Sequence, residues 1–463
     1  MISSNYIEFF KDLSNQDKKR MFNFTSGHLG TFSNPIFSNL IIKDITFLNY
    51  LYLLFKLLFL LSLSIIPIKN VAFFLRASLR SILNKKLHLH KNYAVISIGA
   101  DRPENDPYLS KILTSLDTKF DYFKIVGGSK IRNDGFIFFE QTFGLFDWLK
   151  SFISIFSINF ISYFTIFSFL LNKKSIKYKF LYLSNYLDEM ISGALYNNYL
   201  LNIFGKKLSS INTYDKLIFP MEGRNWEKKI VSYFNKSTTK IIGYVHCAIT
   251  PRHLSLTNKN FYNPTEVPSI IITPSRMSYS LISKAFKSAK VISGSFIREG
   301  RSFGNLLIDK NYIVIALTSS IKESKTIINS IISSNLHKKF KVEIRLNSNT
   351  NTYASIKMLI MNNNLSLLSE PIKLRPIICL FRSSSTAIEY LRMGVNPIYI
   401  SLNSGFSNNI FDLDNTYNFD SLDIDAFETF TPTKVVYNKN KCVQIANYYL
   451  KQSNYLNFIK SIK

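Results

Sequence analysis

Cysteine is nearly missing. Cys247, Cys379 and Cys442 stand alone and are odd in number, which excludes a disulfide scaffold and fits a reducing compartment. Glycine (16) and proline (13) are scarce for 463 residues, and no short repeat, collagen-like period or long disordered tail is present. Acidic residues number 30 against 57 basic ones, a formal charge of +27. That balance favours polyanionic partners: nucleic acid, anionic lipid or phosphorylated substrates. No fingerprint of a nucleic-acid module is found, so nucleic acid is not expected as a partner. The amino terminus lacks a basic stretch followed by an apolar core, so no cleavable secretion signal is expected. There is no Gly-rich Lys-Ser/Thr phosphate loop and no Gly-x-Ser-x-Gly elbow. His88-Leu89-His90 has no further ligands at zinc spacing. The acidic pairs Asp412/Asp414 and Asp423/Asp425 match a metal-dependent pattern only as chance would. No metal and no cofactor is expected.

Apolar residues, by contrast, are abundant at 46%, with 40 Phe and 26 Tyr. Runs of Ile, Lys, Asn and Phe suggest an AT-rich coding bias, so the aromatics are not read as a ligand signal. Two stretches, 47–68 and 151–171, are each about the length of a bilayer-spanning helix. Basic residues follow both, as in Lys69, Arg76 and Arg80, then Lys173 and Lys174. That placement suits an anionic membrane surface; a solvated basic surface is the plainer alternative. Asn92–Gly99 lies between the stretches and reads as a buried strand. Were both to cross, this strand would be parted from its sheet. Helices that dock on the protein and dip into one leaflet are therefore expected, with spanning or plain core helices as alternatives. In the second stretch Ser151, Ser154, Ser157, Ser162, Thr165 and Ser168 recur near every third residue, a spacing that spirals around a helix.

The length suits two domains. Residues 1–90 read as an irregular start with one apolar helix. An α/β domain is expected over 91–300, with 151–171 as an inserted apolar helix. A second follows over 301–435, and a helix in 436–463 packs back on the first domain. Strands are expected at 93–98, 135–139, 216–220, 241–245 and 269–272, then at 312–317, 341–345, 377–381 and 397–401. Helices are expected at 107–116, 182–204, 225–234 and 275–286, then at 320–335, 352–362, 386–393 and 442–462. Strand, helix and strand at this spacing give parallel β-α-β units.

Three segments can carry chemistry. Arg382-Ser383-Ser384-Ser385-Thr386 joins a strand to a helix, where free N–H groups and the helix dipole favour phosphate. Glu389, a turn further on, can accept from ribose hydroxyls; the plainer reading is ordinary capping. Glu222 falls just past a strand, where ligands gather in open α/β sheets, and can take a proton from an acceptor hydroxyl. Arg224 can pair with phosphate or a sugar acid. Trp226 reads as a core anchor and Glu227 as a capping charge. His246 follows the next strand and can meet Glu222 as base or phosphate donor, although a lone His is more often structural.

Together, Glu222 with Trp226-Glu227, Ile242-Gly243-Tyr244-Val245-His246, Pro274-Ser275 and Ser383–Glu389 with Gly394 and Pro397 carry a resemblance. They resemble a bacterial surface-carbohydrate-biosynthesis family related to GT-B-type glycosyltransferases. The resemblance implies a GT-B-like α/β fold, two Rossmann-like domains facing a cleft. It implies a nucleotide-sugar donor held by Ser383, Ser384, Ser385, Thr386 and Glu389, with Glu222 or His246 as base. A glycan or lipid-linked acceptor and a site at the cytoplasmic face of the inner membrane, peripheral or monotopic, are also implied. Related proteins carry a Lys-Pro-His-Pro-like stretch where this chain has Glu343-Ile344-Arg345-Leu346-Asn347; Arg345 is expected to supply the basic contact. A non-catalytic scaffold of the same shape and a nucleotide-sugar epimerase are the alternatives.

Overall fold

The computed structural model describes residues 65–83, 92–97, 103–106, 120–125, 136–170, 193–211, 214–235, 237–249, 253–257, 262–294, 306–318, 321–346, 350–368, 374–382, 386–402, 420–431 and 439–451, with a few single positions between them. Two parallel sheets organise the chain. The first has seven strands in the order β3-β2-β1-β4-β5-β6-β7. These are β1 (Tyr93–Ser97), β2 (Phe120–Lys124), β3 (Ile137–Phe138), β4 (Lys216–Pro220), β5 (Lys240–Tyr244), β6 (Ile270–Thr273) and β7 (Lys290–Ser293). The second has six in the order β10-β9-β8-β11-β12-β13. They are β8 (Ile308–Ala316), β9 (Lys341–Arg345), β10 (Ser366–Leu367), β11 (Arg375–Phe381), β12 (Asn396–Ser401) and β13 (Ser421–Asp423). Every pairing is parallel.

Apolar runs form the central strands because helices cover both faces of a parallel sheet. Leu217, Ile218 and Phe219 of β4 are all buried, as are Ile313, Val314 and Ile315 of β8. In each sheet the strand order reverses once, between β1 and β4 and between β8 and β11. At such a reversal the flanking connections leave toward opposite faces and open a crevice at the carboxyl ends. The α/β fold class with two Rossmann-like domains is the one expected.

The helices are α1 (Ile65–Leu83), α2 (Leu145–Leu170), α3 (Ala194–Ile211), α4 (Asn225–Phe234), α5 (Leu254–Thr257) and α6 (Arg276–Ala285). They continue as α7 (Ile321–Ser333), α8 (Leu336–Lys339), α9 (Thr350–Asn362), α10 (Thr386–Arg392) and α11 (Lys439–Tyr449). Helix α11 packs on α10 and α6, and Lys451 N–H donates to the Pro274 carbonyl at 2.9 Å. Ala248 and Met277, which follow β5 and β6, share one apolar cluster with Phe381, Tyr399 and the α11 residues Cys442 and Tyr449.

Several expectations need correction. The helix expected over 182–204 begins at Ala194 and runs to Ile211. Gly193 before it has φ +77°, a left-handed conformation that interrupts a helix; residues 182–189 lie outside the described residues. Strand β3 is only two residues long and turns at once into a short 3-10 helix, Phe139–Thr142. The helix of the first segment, expected over the apolar stretch 47–68, is described over Ile65–Leu83 as α1. Of the serines of 151–171, those beyond Ser157 lie outside the residues whose side chains are described. Ser151 and Ser154 are both buried on the inner side, since three residues fall only some 60° short of a full turn. Most of 47–68 and nearly all of the 107–116 helix lie outside the described residues. Among the fully described residues, no helix is long and apolar enough to cross a membrane.

Candidate active site

Strand β4 ends at Pro220, and the chain turns through Met221, Glu222 and Gly223 into α4. This turn sits at the order reversal of the first sheet. Gly223 has φ +79°, and a Cβ there would fall 2.7 Å from the Ser255 carbonyl oxygen. Only glycine fits without strain. Beneath the turn lies Glu227, 3% exposed. Its carboxylate accepts from the Glu222 N–H at 3.1 Å and the Gly223 N–H at 2.8 Å. Glu227 was expected as a capping charge of α4; its bonds go instead to the turn that precedes the helix. Burial, then the neighbouring Glu222 charge, pushes the Glu227 carboxyl up to about 8, with Arg224 and the two N–H donors opposing. Trp226 is buried, edge-on to Phe219, as a core anchor.

The side chain of Glu222 meets His246 and Arg224. One oxygen lies 3.2 Å from His246 Nε2, and the other pairs with the Arg224 guanidinium. His246 follows β5, the strand next to β4, so parallel register brings the two residues to the same edge. Both side chains keep a small exposure, 15% and 13%. A carboxylate and an imidazole in this contact can pass one proton between them. Cys247, the next residue, is no thiolate at neutral pH. Burial and the Glu222 charge push its thiol up to about 12.

The second sheet carries the other candidates. Arg345 closes β9, and its guanidinium donates to Glu389 of α10 at 2.9 Å. The Arg345–Glu389 contact raises the Arg345 pKa against the lowering effect of burial. Thr386 is buried in the first turn of α10. Ser383, Ser384 and Ser385 lie outside the described residues. Of the acidic pairs, Asp423 accepts from the Asp425 N–H at 3.3 Å and so caps a short turn; 412–414 lie outside the described residues. Among the described residues, no group of three or more His, Cys, Asp or Glu side chains could hold a metal ion.

Sequence reasoning placed Arg382 at the head of the serine segment but gave it no role, and singled out none of its partners. Arg382 follows β11 at the second order reversal and is 1% exposed. Its guanidinium donates to Glu323 at 3.0 Å, to the Ile400 carbonyl at 3.1 Å and to the Tyr399 hydroxyl. It also lies 5.2 Å from the Tyr399 ring centroid. An arginine closing the apolar run 377–381 was the available signal, because a buried charge needs partners.

No protein-family model matches the sequence, and no curated protein matches it. Solved structures do match the fold. The UDP-GlcNAc 2-epimerase of Methanocaldococcus jannaschii aligns with TM-score 0.42 and 9% identity, covering 80% of this chain and 100% of that one. Acinetobacter baumannii MurG aligns with TM-score 0.38 and 9% identity, over 81% and 98%. S. aureus MnaA, in a structure with UDP, aligns with TM-score 0.36 and 12% identity, over 69% and 80%. The likeness is one of fold.

Proposed function

We propose that the chain is an enzyme that transfers a sugar from a nucleotide-sugar donor to a hydroxyl of a glycan or lipid-linked acceptor, in the building of a bacterial surface carbohydrate. The observation that carries this reading is the Glu222–His246 contact at the carboxyl edge, beside the first order reversal. The pair takes the proton of the acceptor hydroxyl. The acceptor oxygen then forms its bond to the anomeric carbon as the bond to the nucleoside diphosphate breaks. The diphosphate leaves with the electron pair. Arg345 and the amino-terminal turn of α10, in the second domain, supply positive charge to it. Glu389 holds Arg345 in place at 2.9 Å and offers its other oxygen to ribose hydroxyls.

The test is a donor panel of nucleotide sugars with and without a lipid-linked or glycan acceptor. The wild-type chain should release nucleoside diphosphate only when acceptor is present. Glu222→Gln and His246→Gln should each lower turnover by about a hundredfold or more, with melting unchanged. Unchanged turnover in both variants sinks the assignment. A new sugar isomer formed without acceptor would mark an epimerase instead. Absence of donor-dependent heat in calorimetry would mark a non-catalytic scaffold.

A further inference from the structure

Helix α2 is apolar on its outer side. Leu145, Phe146, Leu149, Phe152, Ile153 and Phe156 are all exposed, the first two at 83% and 84%. Two of its serines, Ser151 and Ser154, point inward. Ser151 is 0% and Ser154 2% exposed. Their hydroxyls are satisfied within the helix, by the Asp147 carbonyl at 2.7 Å and the Ser151 carbonyl at 2.6 Å. A helix that faced water would show the reverse pattern. Helix α1 repeats the arrangement, with Leu75, Leu79, Ile82 and Leu83 exposed along one stripe.

The two helices pack together through Phe74, whose ring lies 5.7 Å from Trp148 and 5.6 Å from Phe152. The apolar stripes therefore belong to one surface. It is held firmly to the first sheet. Arg80 of α1 pairs with buried Glu140 at 3.2 Å and covers the Phe138 ring at 4.7 Å.

Among the described side chains of these two helices, the exposed charge is the cation Lys150. Helix α1 contains no acidic residue. Asp147 is the acidic residue of α2, and it is paired with Lys207 at 3.3 Å. Lys150 is exposed among the apolar side chains. An apolar surface edged by Lys150, on a chain of net charge +27, is complementary to the headgroups and upper acyl chains of an anionic bilayer.

We propose that the outer faces of α1 and α2 dock on an anionic lipid surface. Contact is interfacial: Phe146, Phe152 and Phe156 enter the acyl boundary while Lys150 stays among the headgroups. Helix α2 starts just beyond the carboxyl end of β3. Because the sheet is parallel throughout, this is the edge that carries Glu222 and His246. The docking itself does not depend on the catalytic reading, since a catalytically dead chain would bind lipid equally well.

Flotation of the full chain with vesicles tests it. The chain should float with phosphatidylcholine vesicles containing phosphatidylglycerol, less so with phosphatidylcholine alone, and less so in high salt. A Phe146→Ser/Phe156→Ser double variant should lose about tenfold or more in partition. Its melting should be unchanged, because both rings are exposed. Equal partition of wild type and variant overturns the proposal. So does a wild-type chain that does not float, as when another segment or a second copy covers the surface. Sedimentation velocity identifies that last case: the wild type would run as a dimer and the double variant as a monomer.

Discussion

Replacing Glu227 tests how the turn that carries Glu222 is held. Two backbone N–H groups, those of Glu222 and Gly223, point at its buried carboxylate at 3.1 and 2.8 Å. Glu227→Ala leaves both donors without their acceptor. Each unsatisfied buried donor costs about 1–3 kcal/mol, and the Glu222 N–H, which is only partly buried, belongs at the low end. Roughly 2–4 kcal/mol of stability should be lost. Turnover should fall with it, since Glu222 would no longer be held 3.2 Å from His246. Glu227→Gln keeps an acceptor for Gly223 N–H and should retain most of both.

The same residue gives stability a pH dependence of definite sign. Burial raises the Glu227 carboxyl to about 8 in the folded chain. Between the ordinary carboxylate range and that value, the folded state keeps a proton that the unfolded state has released. Stability is therefore greatest at the acid end of this window and declines as pH rises toward 8. Glu227→Gln should flatten the decline. Urea unfolding at several pH values, with donor turnover in parallel, measures all of this. An Ala variant within about 0.5 kcal/mol of wild type, or a Gln variant with an unaltered pH slope, refutes the reasoning.

Two further substitutions probe neighbouring features. Arg80→Met should cost about 3–5 kcal/mol, because it strands Glu140 without its cation. That loss should grow as pH rises through about 7, where burial has placed the Glu140 carboxyl, and chemical denaturation on both sides of neutrality measures it. Gly223→Ala forces a side chain into a left-handed conformation at φ +79° with its Cβ 2.7 Å from Ser255 O. It should cost about 2 kcal/mol or more and lower kcat; wild-type melting and turnover would contradict that account.

The parallel strands were legible where burial on both faces forces a continuous apolar run, as in Lys216–Pro220 and Arg375–Phe381. Glu222 and His246 were legible for a related reason. Each follows such a run, and strand ends are where side chains meet across a parallel sheet. Strand β2 was not legible. Its Asp121 and Lys124 are both buried, although charged residues suggest a surface. Asp121 accepts from the Tyr214 hydroxyl at 2.8 Å, and Lys124 lies 5.0 Å from the Phe136 ring. Such partners are distant in sequence and invisible to local patterning. The reversed polarity of α2 escaped notice for the same cause. A serine stripe and an apolar stripe look alike until something decides which side turns inward, and here that is Ile155, buried in the first core.

The last described helix, α11, leans on elements from both sheets. It is also the last of them to leave the ribosome. Each α/β unit can assemble behind it as the chain emerges. The apolar seam that joins Met277 to Phe381 and Tyr449 closes only once α11 has been made. A nascent chain thus holds an open seam until α11 emerges, and a stop codon placed before Lys439 would leave that seam open for good.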